Sequence, residues 1–347
     1  MTSLIIRISA ALLALAPASC AAVAQPARSA VPAAPAALSG RIAELGRSFN
    51  GRVGIAVQSV DRGWRTGWKA DELYPQQSVS KFMVALTVMD RVDRGQLSLD
   101  GPVTLTRSDL TLFHQPIADK ILSGGGTYTT TVQALLIQAM TQSDNTANDK
   151  LMRLAGGPDA VRGFIAGRQL GNIRFYNGER ALQSRIAGLT WSNNYSIGDA
   201  FYKARDALPL ALRQRLFERY IDDPYDGAAP SSLVNTLARL KRGELLQPAS
   251  TARLLTIMSN TATGKNRLRG GLKPGWTLAH KTGTGQELGG VQAGYNDIGV
   301  LTAPDGRSYA VAVMIKRTST PLIVRMNLMN DVVRAVIAAH EATAFTL

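Results

Sequence analysis

The sequence is almost without cysteine and histidine. Its one cysteine, Cys20, excludes a disulfide framework and any cysteine-built zinc cluster. The three histidines, His114, His280 and His340, are scattered and form no HExxH or H-x-H pair, so neither a metal nor another cofactor is expected. Long hydrophobic runs are also missing. The apolar stretch Ile8 to Ala18 is about 11 residues, too short for a hydrocarbon core that needs ~20, which argues against a mature membrane anchor. Acidic residues are outnumbered, 25 against 39 Lys and Arg, and the resulting +14 suits nucleic acid, an anionic envelope polymer or an anionic small substrate without choosing among them. With 45% hydrophobic and 18% charged residues, 347 positions describe an ordinary globular chain of one large domain or two modest ones, neither disordered nor collagen-like.

What is present begins with an export pattern. Arg7 precedes the apolar run, and Ala22-Val23-Ala24 follows it with small residues at both specificity positions of a signal-peptidase site. Residues 1–24 therefore read as a cleaved signal peptide and the mature protein as periplasmic. A lipoprotein acylated at Cys20 is the competing reading, disfavoured because Pro17 stands where a lipobox carries an aliphatic residue. Cleavage after Ala24 removes the thiol, so cysteine catalysis drops out, and export removes nucleic acid as a partner. Residues 25–38 are Pro/Ala-rich and read as a linker, with folding from Ser39.

Residues 51–60 and 64–69, joined by Asp61-Arg62-Gly63, have the pattern of a β-hairpin. Further strands are expected at 276–281, 295–303 and 308–316, the last two joined by Pro304-Asp305-Gly306. Helical periodicity marks 79–94, 131–141, 145–155, 158–168, 232–242, 250–260 and 321–344. Strands at both ends with helices between predict an α+β fold, its sheet completed by the two chain ends and a helical lobe inserted.

Three short motifs carry the chemistry. Ser78-Val79-Ser80-Lys81 opens an apolar helix, which sets a hydroxyl and an ammonium one turn apart on one face, beside a helix N-terminus that favours a developing oxyanion. Alone, S-x-x-K is a weak motif, and Ser78 reads rather as a helix cap with Lys81 solvated. Ser143-Asp144-Asn145 lies in a turn between two helices and by itself is a capping sequence. Lys281-Thr282-Gly283-Thr284 ends a strand and by itself is a polar strand end.

Together, in this order and these contexts, S-x-x-K, SDN and KTG resemble the motif set of class A β-lactamases and related penicillin-binding proteins. The segments QAMTQSDNTANDKLM, GELLQPASTARLLTIM and RLRGGLKPGWTLAHKTGTG look like the family over their whole length, and the similarity runs from Ser39 to the last helix. The resemblance implies a five-stranded antiparallel sheet flanked by terminal helices plus an all-α lobe, with the site between them. The α/β lobe would comprise 39–77 and 267–347, and the helical lobe 78–266. The resemblance also implies roles. Ser78 is the acylated nucleophile and Lys81 its base or proton relay. Ser143 protonates the departing nitrogen, and Asn145 binds the substrate's side-chain amide. Lys281 and Thr282 hold the substrate carboxylate, Gly283 belongs to the same strand motif, and the N–H groups of Ser78 and Thr284 form the oxyanion hole. Asp144 braces the turn.

Hydrolysis of an acyl-enzyme needs a general base, which the family takes from the glutamate of E-x-x-L-N beyond SDN. Glu179-Arg180-Ala181-Leu182-Gln183 resembles that motif, with Glu179 as base and Gln183 in place of asparagine. A second departure is the long segment 184–231, which reads either as an insertion that reshapes the pocket mouth or as a peripheral decoration. No arginine stands near Gln292, and Arg267 resembles the alternative carboxylate-binding position, with Arg269 as its rival. The resulting expectation is a monomeric serine β-lactamase that acts on small β-lactams. A penicillin-binding DD-peptidase, a degenerate binding protein and a related esterase or amidase are the alternatives.

Overall fold

The computed structural model describes residues 31–344. The signal reading, Cys20 and residues 25–30 lie outside them. In chain order the strands are β1 (Arg52–Ser59), β2 (Arg65–Trp68), β3 (Tyr74–Pro75), β4 (Pro102–Thr106), β5 (Thr127–Thr131), β6 (Gly227–Ala228), β7 (Thr277–Thr284), β8 (Glu287–Leu288), β9 (Val291–Gln292), β10 (Tyr295–Thr302) and β11 (Ser308–Arg317). The helices are α1 (Ala36–Ser48), α2 (Lys81–Asp93), α3 (Ile117–Ser123), α4 (Val132–Thr141), α5 (Asn145–Leu154), α6 (Gly157–Gly167), α7 (Glu179–Ala187), α8 (Ala200–Asp206), α9 (Leu210–Asp222), α10 (Pro230–Lys241), α11 (Pro248–Ser259) and α12 (Leu322–Ala344).

Five strands form one antiparallel sheet in the order β2-β1-β11-β10-β7, so the two ends of the chain complete it together. Strands β1 and β11 are buried along nearly their whole length, and so they lack the polar alternation of a half-exposed strand. Size alternates instead. Val53, Ile55 and Val57 share a face with Val311, Val313 and Ile315, and this face is covered by Ile42 and Leu45 of α1 and Val332, Val333 and Val336 of α12. The other face offers the smaller Ala56, Ala310 and Ala312, against which Leu233, Val234 and Leu237 of α10 pack. Each fully buried aliphatic side chain contributes about 1.5–3 kcal/mol, so both helix layers are tied firmly to the sheet.

The helical lobe is built round α2. Every residue from Phe82 to Met89 is buried, as expected of a helix enclosed on all sides. Helices α4, α5, α6 and α11 pack against it. Its first turn continues from a 3-10 turn at Gln77–Ser80 that rests on β7, so the N-terminus of the central helix meets the sheet edge.

Three boundaries differ from the sequence reading. Helix α1 starts at Ala36, inside the stretch read as linker, because Pro35 supplies a φ of −54° suited to helix entry and Leu38 finds a place in the core. Helix α10 lies within 78–266 yet packs on β1, β10 and β11, so it belongs with the sheet. Strand β7 runs on through Thr284, since Thr282 and Gly283 pair with Asp297 and Asn296 of β10. Among the described residues no helix is long and apolar enough to cross a membrane.

Candidate active site

Ser78 sits in the 3-10 turn before α2, half-buried, with Lys81 one turn on. Neither cap position of this turn or of α2 makes a side-chain cap bond, and the Lys81 Nζ donates to Ser78 Oγ at 2.7 Å. Lys81 is fully buried and also donates to Asn145 Oδ1 at 2.8 Å and to Glu179 Oε1. The two acceptors come from α5 and α7, so one ammonium ties three helices to the serine. Gly283 is required opposite: a Cβ there would stand 2.3 Å from the carbonyl oxygen of Gln76, and any side chain would push β7 off the serine turn.

Ser143 adopts a left-handed φ of 62°, which turns its hydroxyl toward Lys281; the Lys281 Nζ donates to Ser143 Oγ at 2.8 Å and to the Thr282 carbonyl at 3.0 Å. Burial, reinforced by the charge of Lys81, holds the Lys281 ammonium well below the usual lysine range. Asp144 does brace the turn: its carboxylate accepts from the Ala147 N–H at 2.9 Å and the Ile117 N–H at 2.7 Å. Asn145 spends one amide hydrogen on the Leu112 carbonyl at 2.9 Å.

Glu179 is the first residue of α7 and is buried. The preceding Gly178 has φ +87°, and a Cβ there would meet Asp149 Oδ1 at 2.9 Å, so that position takes glycine. With no side chain at the cap, Asp149 of α5 does the capping, accepting from the N–H groups of Glu179 at 2.8 Å and Arg180 at 3.3 Å. Burial, followed by the nearby Glu179 charge, raises Asp149 to about 6. Gln183 lies one turn beyond Glu179, and its Nε2 donates to Gln77 Oε1 at 3.0 Å and to Glu179 Oε2 at 3.3 Å. Its Oε1 accepts from Gln286 Nε2 at 3.0 Å.

These residues surround a cavity of about 460 Å³ between the lobes, lined by Ser78, Ser143, Asn145, Glu179, Gln183, Arg267, Thr282 and Thr284. Lys81 and Lys281 lie buried beneath it. Arg267 Nη1 donates to the carbonyls of Gly283 at 3.0 Å and Asn296 at 2.7 Å, while Nη2 reaches Thr284 Oγ1 at 2.5 Å and the guanidinium lies over Tyr295. Arg269 turns instead to the Ser259 carbonyl. The segment 184–231 is no peripheral decoration. Arg205 of α8 lines the cavity, Phe201 packs edge-on against Phe113 at 5.1 Å, and Tyr220 of α9 bonds Gln77.

The sequence reading missed Gln77, Asp149, Thr263, Tyr220, Asp226 and Gln286. Asp149 had a signal, since it lies four residues beyond Asn145 on the same face of α5. Gln77 adjoins the serine. Thr263, whose hydroxyl meets that of Thr282 at 2.7 Å, and the others reach the site only through tertiary contact.

A serine hydroxyl bonded to one buried lysine, with a second buried lysine bonded to Ser143, held between an antiparallel sheet and a helical lobe, is the arrangement of a serine hydrolase of the acyl-transfer class. The family model described as the Beta-lactamase enzyme family matches residues 37–340. Beta-lactamase VEB-1 of Pseudomonas aeruginosa is 26% identical over 295 residues, which cover 85% of this chain and 87% of that protein. The extended-spectrum beta-lactamase PER-1 of the same organism is 31% identical over 265 residues, 76% of this chain and 74% of its own. A beta-lactamase crystal structure from Chitinophaga pinensis has a TM-score of 0.72 at 27% identity, covering 87% of this chain and 99% of that one. The chain belongs to the β-lactamase enzyme family.

Asp149 yields a pH prediction. Its folded pKa of about 6 exceeds the ordinary 3.8, so its ionisation opposes folding: the stability it contributes is complete below the ordinary value and is lost as pH rises through about 6. Asp226, raised to about 6 by its own burial, adds a loss of the same sign. Asp149→Asn should therefore flatten part of the fall in thermal stability across that window. An unchanged slope in calorimetry would refute the assignment.

Proposed function

We propose that this hydrolase opens the β-lactam amide through a Ser78 acyl-enzyme, which Glu179 then hydrolyses with water. The observation that carries this reading is the buried Lys81 ammonium shared by Ser78, Asn145 and Glu179. In acylation, Ser78 Oγ bonds to the lactam carbonyl carbon. Its proton passes to Lys81 as Lys81 releases one to Glu179, a route that follows the existing hydrogen bonds. The N–H groups of Ser78 and Thr284 take the developing oxyanion. When the C–N bond breaks, the nitrogen takes a proton from Ser143, which Lys281 replaces. A depressed lysine pKa makes Lys281 a readier donor. Arg267 and Lys281 make one side of the cavity cationic and Thr282 adds a hydroxyl, a set suited to the substrate carboxylate, and Asn145 takes the side-chain amide with its second amide hydrogen.

In deacylation, Glu179 has returned its proton to solvent, from which Lys281 has regained the one it gave up, and Glu179 takes one from a water whose oxygen attacks the ester. The ester C–O bond breaks, and Ser78 recovers a proton through Lys81. The net change is water added across the amide. A DD-peptidase reading called for a misplaced glutamate, and the contact of Glu179 with Lys81 speaks against it. Export through residues 1–24 is part of the same reading, and with it a periplasmic, monomeric mature protein without a membrane anchor.

Glu179→Gln keeps the shape and deletes the base, so acylation, which loses only the last proton acceptor and keeps Lys81, should slow far less than deacylation, which falls by ~10²–10⁴, and a Ser78 adduct accumulates in mass spectrometry. A wild-type protein that already traps the adduct, or a mutant with normal turnover, contradicts the mechanism. Arg267→Ala should raise KM for penicillins through loss of a charge-assisted bond worth about 1.5–3 kcal/mol, with Arg269→Ala near neutral. The reverse pattern would move the role to Arg269. The intact mass of the exported protein should correspond to a start at Gln25, and a lipid-modified Cys20 would overturn the export assignment.

A further inference from the structure

A chain of amides behind Glu179 has a direction, and the segment 184–231 sets it. Asp226 accepts the Gln77 backbone N–H on Oδ2 at 2.7 Å and the Tyr220 hydroxyl on Oδ1 at 2.9 Å. Burial, then the Asp226 charge, raises Tyr220 well above the usual phenol range, so the hydroxyl keeps its proton and donates it. Its oxygen is left to accept, and Gln77 Nε2 donates to it at 2.6 Å. Once that NH2 group is committed, Gln77 Oε1 must face Gln183, whose Nε2 donates to it at 3.0 Å and to Glu179 Oε2 at 3.3 Å. Gln286 closes the chain by donating to Gln183 Oε1 at 3.0 Å. If either amide were reversed, a carbonyl oxygen would oppose the Glu179 carboxylate.

We propose that Tyr220 is a positioning residue for hydrolysis of the acyl-enzyme, fixing the amide polarity of Gln77 and Gln183 so that a donor always faces Glu179. This rests on Glu179 being the deacylating base. The task Gln183 takes from the expected asparagine thus depends on a tyrosine on helix α9. Tyr220 is fully buried beside Leu182, Ile186 and Phe217, so Tyr220→Phe keeps the packing and removes only the hydroxyl.

The test is stopped-flow kinetics of the full chain with a chromogenic cephalosporin. Tyr220→Phe should leave acylation nearly intact and slow deacylation by about tenfold or more, the fold-change equivalent of about 1.4 kcal/mol. Gln183→Ala should show the same split, and the double mutant should be no slower than the slower single mutant, because both act through one chain. Equal loss of both steps, or effects that multiply in the double mutant, overturns the proposal. Should Tyr220→Phe not fold, Gln77→Met interrupts the same chain and must reproduce the split; loss of both steps together overturns it. Glu179→Gln separates the two levels of inference. If it traps an adduct while Tyr220→Phe turns over like wild type, the positioning role alone is wrong, whereas a Glu179→Gln enzyme with normal turnover removes the base assignment beneath it.

Discussion

A lysine with no solvent exposure is the constraint on which the site depends. Taking an ammonium out of water costs several kcal/mol, and only well-aimed acceptors offset it. Lys81 has three, Ser78 Oγ, Asn145 Oδ1 and Glu179 Oε1, borne by the serine turn, α5 and α7. Displacing any of these elements would leave a buried charge underpaired, a fault that typically costs ~3–5 kcal/mol. The same buried charge therefore holds serine, amide and carboxylate in register. Lys281, equally buried, is bonded only to the neutral Ser143 hydroxyl and Thr282 carbonyl, and burial together with the Lys81 charge holds it well below the usual lysine range.

Legibility in the sequence followed the range of the interaction. Ser78 and Lys81 share a helical turn, and Lys281 to Thr284 share a strand, so spacing alone brought these groups together. The five long strands and the main helices carry their own periodicity, and the sheet was recoverable from their order. Glu179 needed the family resemblance, because nothing local to it says that a buried ammonium waits at the end of α2. Asp149 showed only its place one turn beyond Asn145, and Tyr220 and Asp226 gave no sign at all. Each is an unremarkable residue in an ordinary helix or loop until the fold sets its polar atom against a backbone N–H or an amide of the site. The placement of α10 escaped for a related reason: its apolar stripe fits a sheet as well as a bundle, and the small residues Ala56, Ala310 and Ala312 made the choice.

The segment 184–231 shows how an added stretch of chain becomes part of the wall of the site. Its helix α8 meets the loop at Phe113 through Phe201, and α9 is fixed to β11 by the Glu218–Arg317 ion pair and to the serine turn by Tyr220. The first and last of these attachments end on residues that line the cavity, so motion of the segment would reach Phe113 and Gln77 directly.

Those attachment points are strained. Gln77, Phe113 and Ser143, which all line the cavity, have left-handed φ values of 53°, 63° and 62°. Side chains in such conformations cost of order 1–3 kcal/mol each and persist only where neighbours over-determine them. Ser143 is held by Lys281 and by Asp144, which anchors the turn to α5 and α3. Gln77 is held at its backbone N–H by Asp226 and at its amide by Tyr220 and Gln183. In both cases the hydrogen bonds that oppose the strain also aim a polar group at the cavity, at Ser143 the hydroxyl itself and at Gln77 the N–H of the next residue, Ser78. Strain and aim cannot then be separated: a relaxed backbone at Gln77 would turn the Ser78 amide out of the cavity, so the buried network that tolerates the left-handed turn is the same one that pre-organises the site.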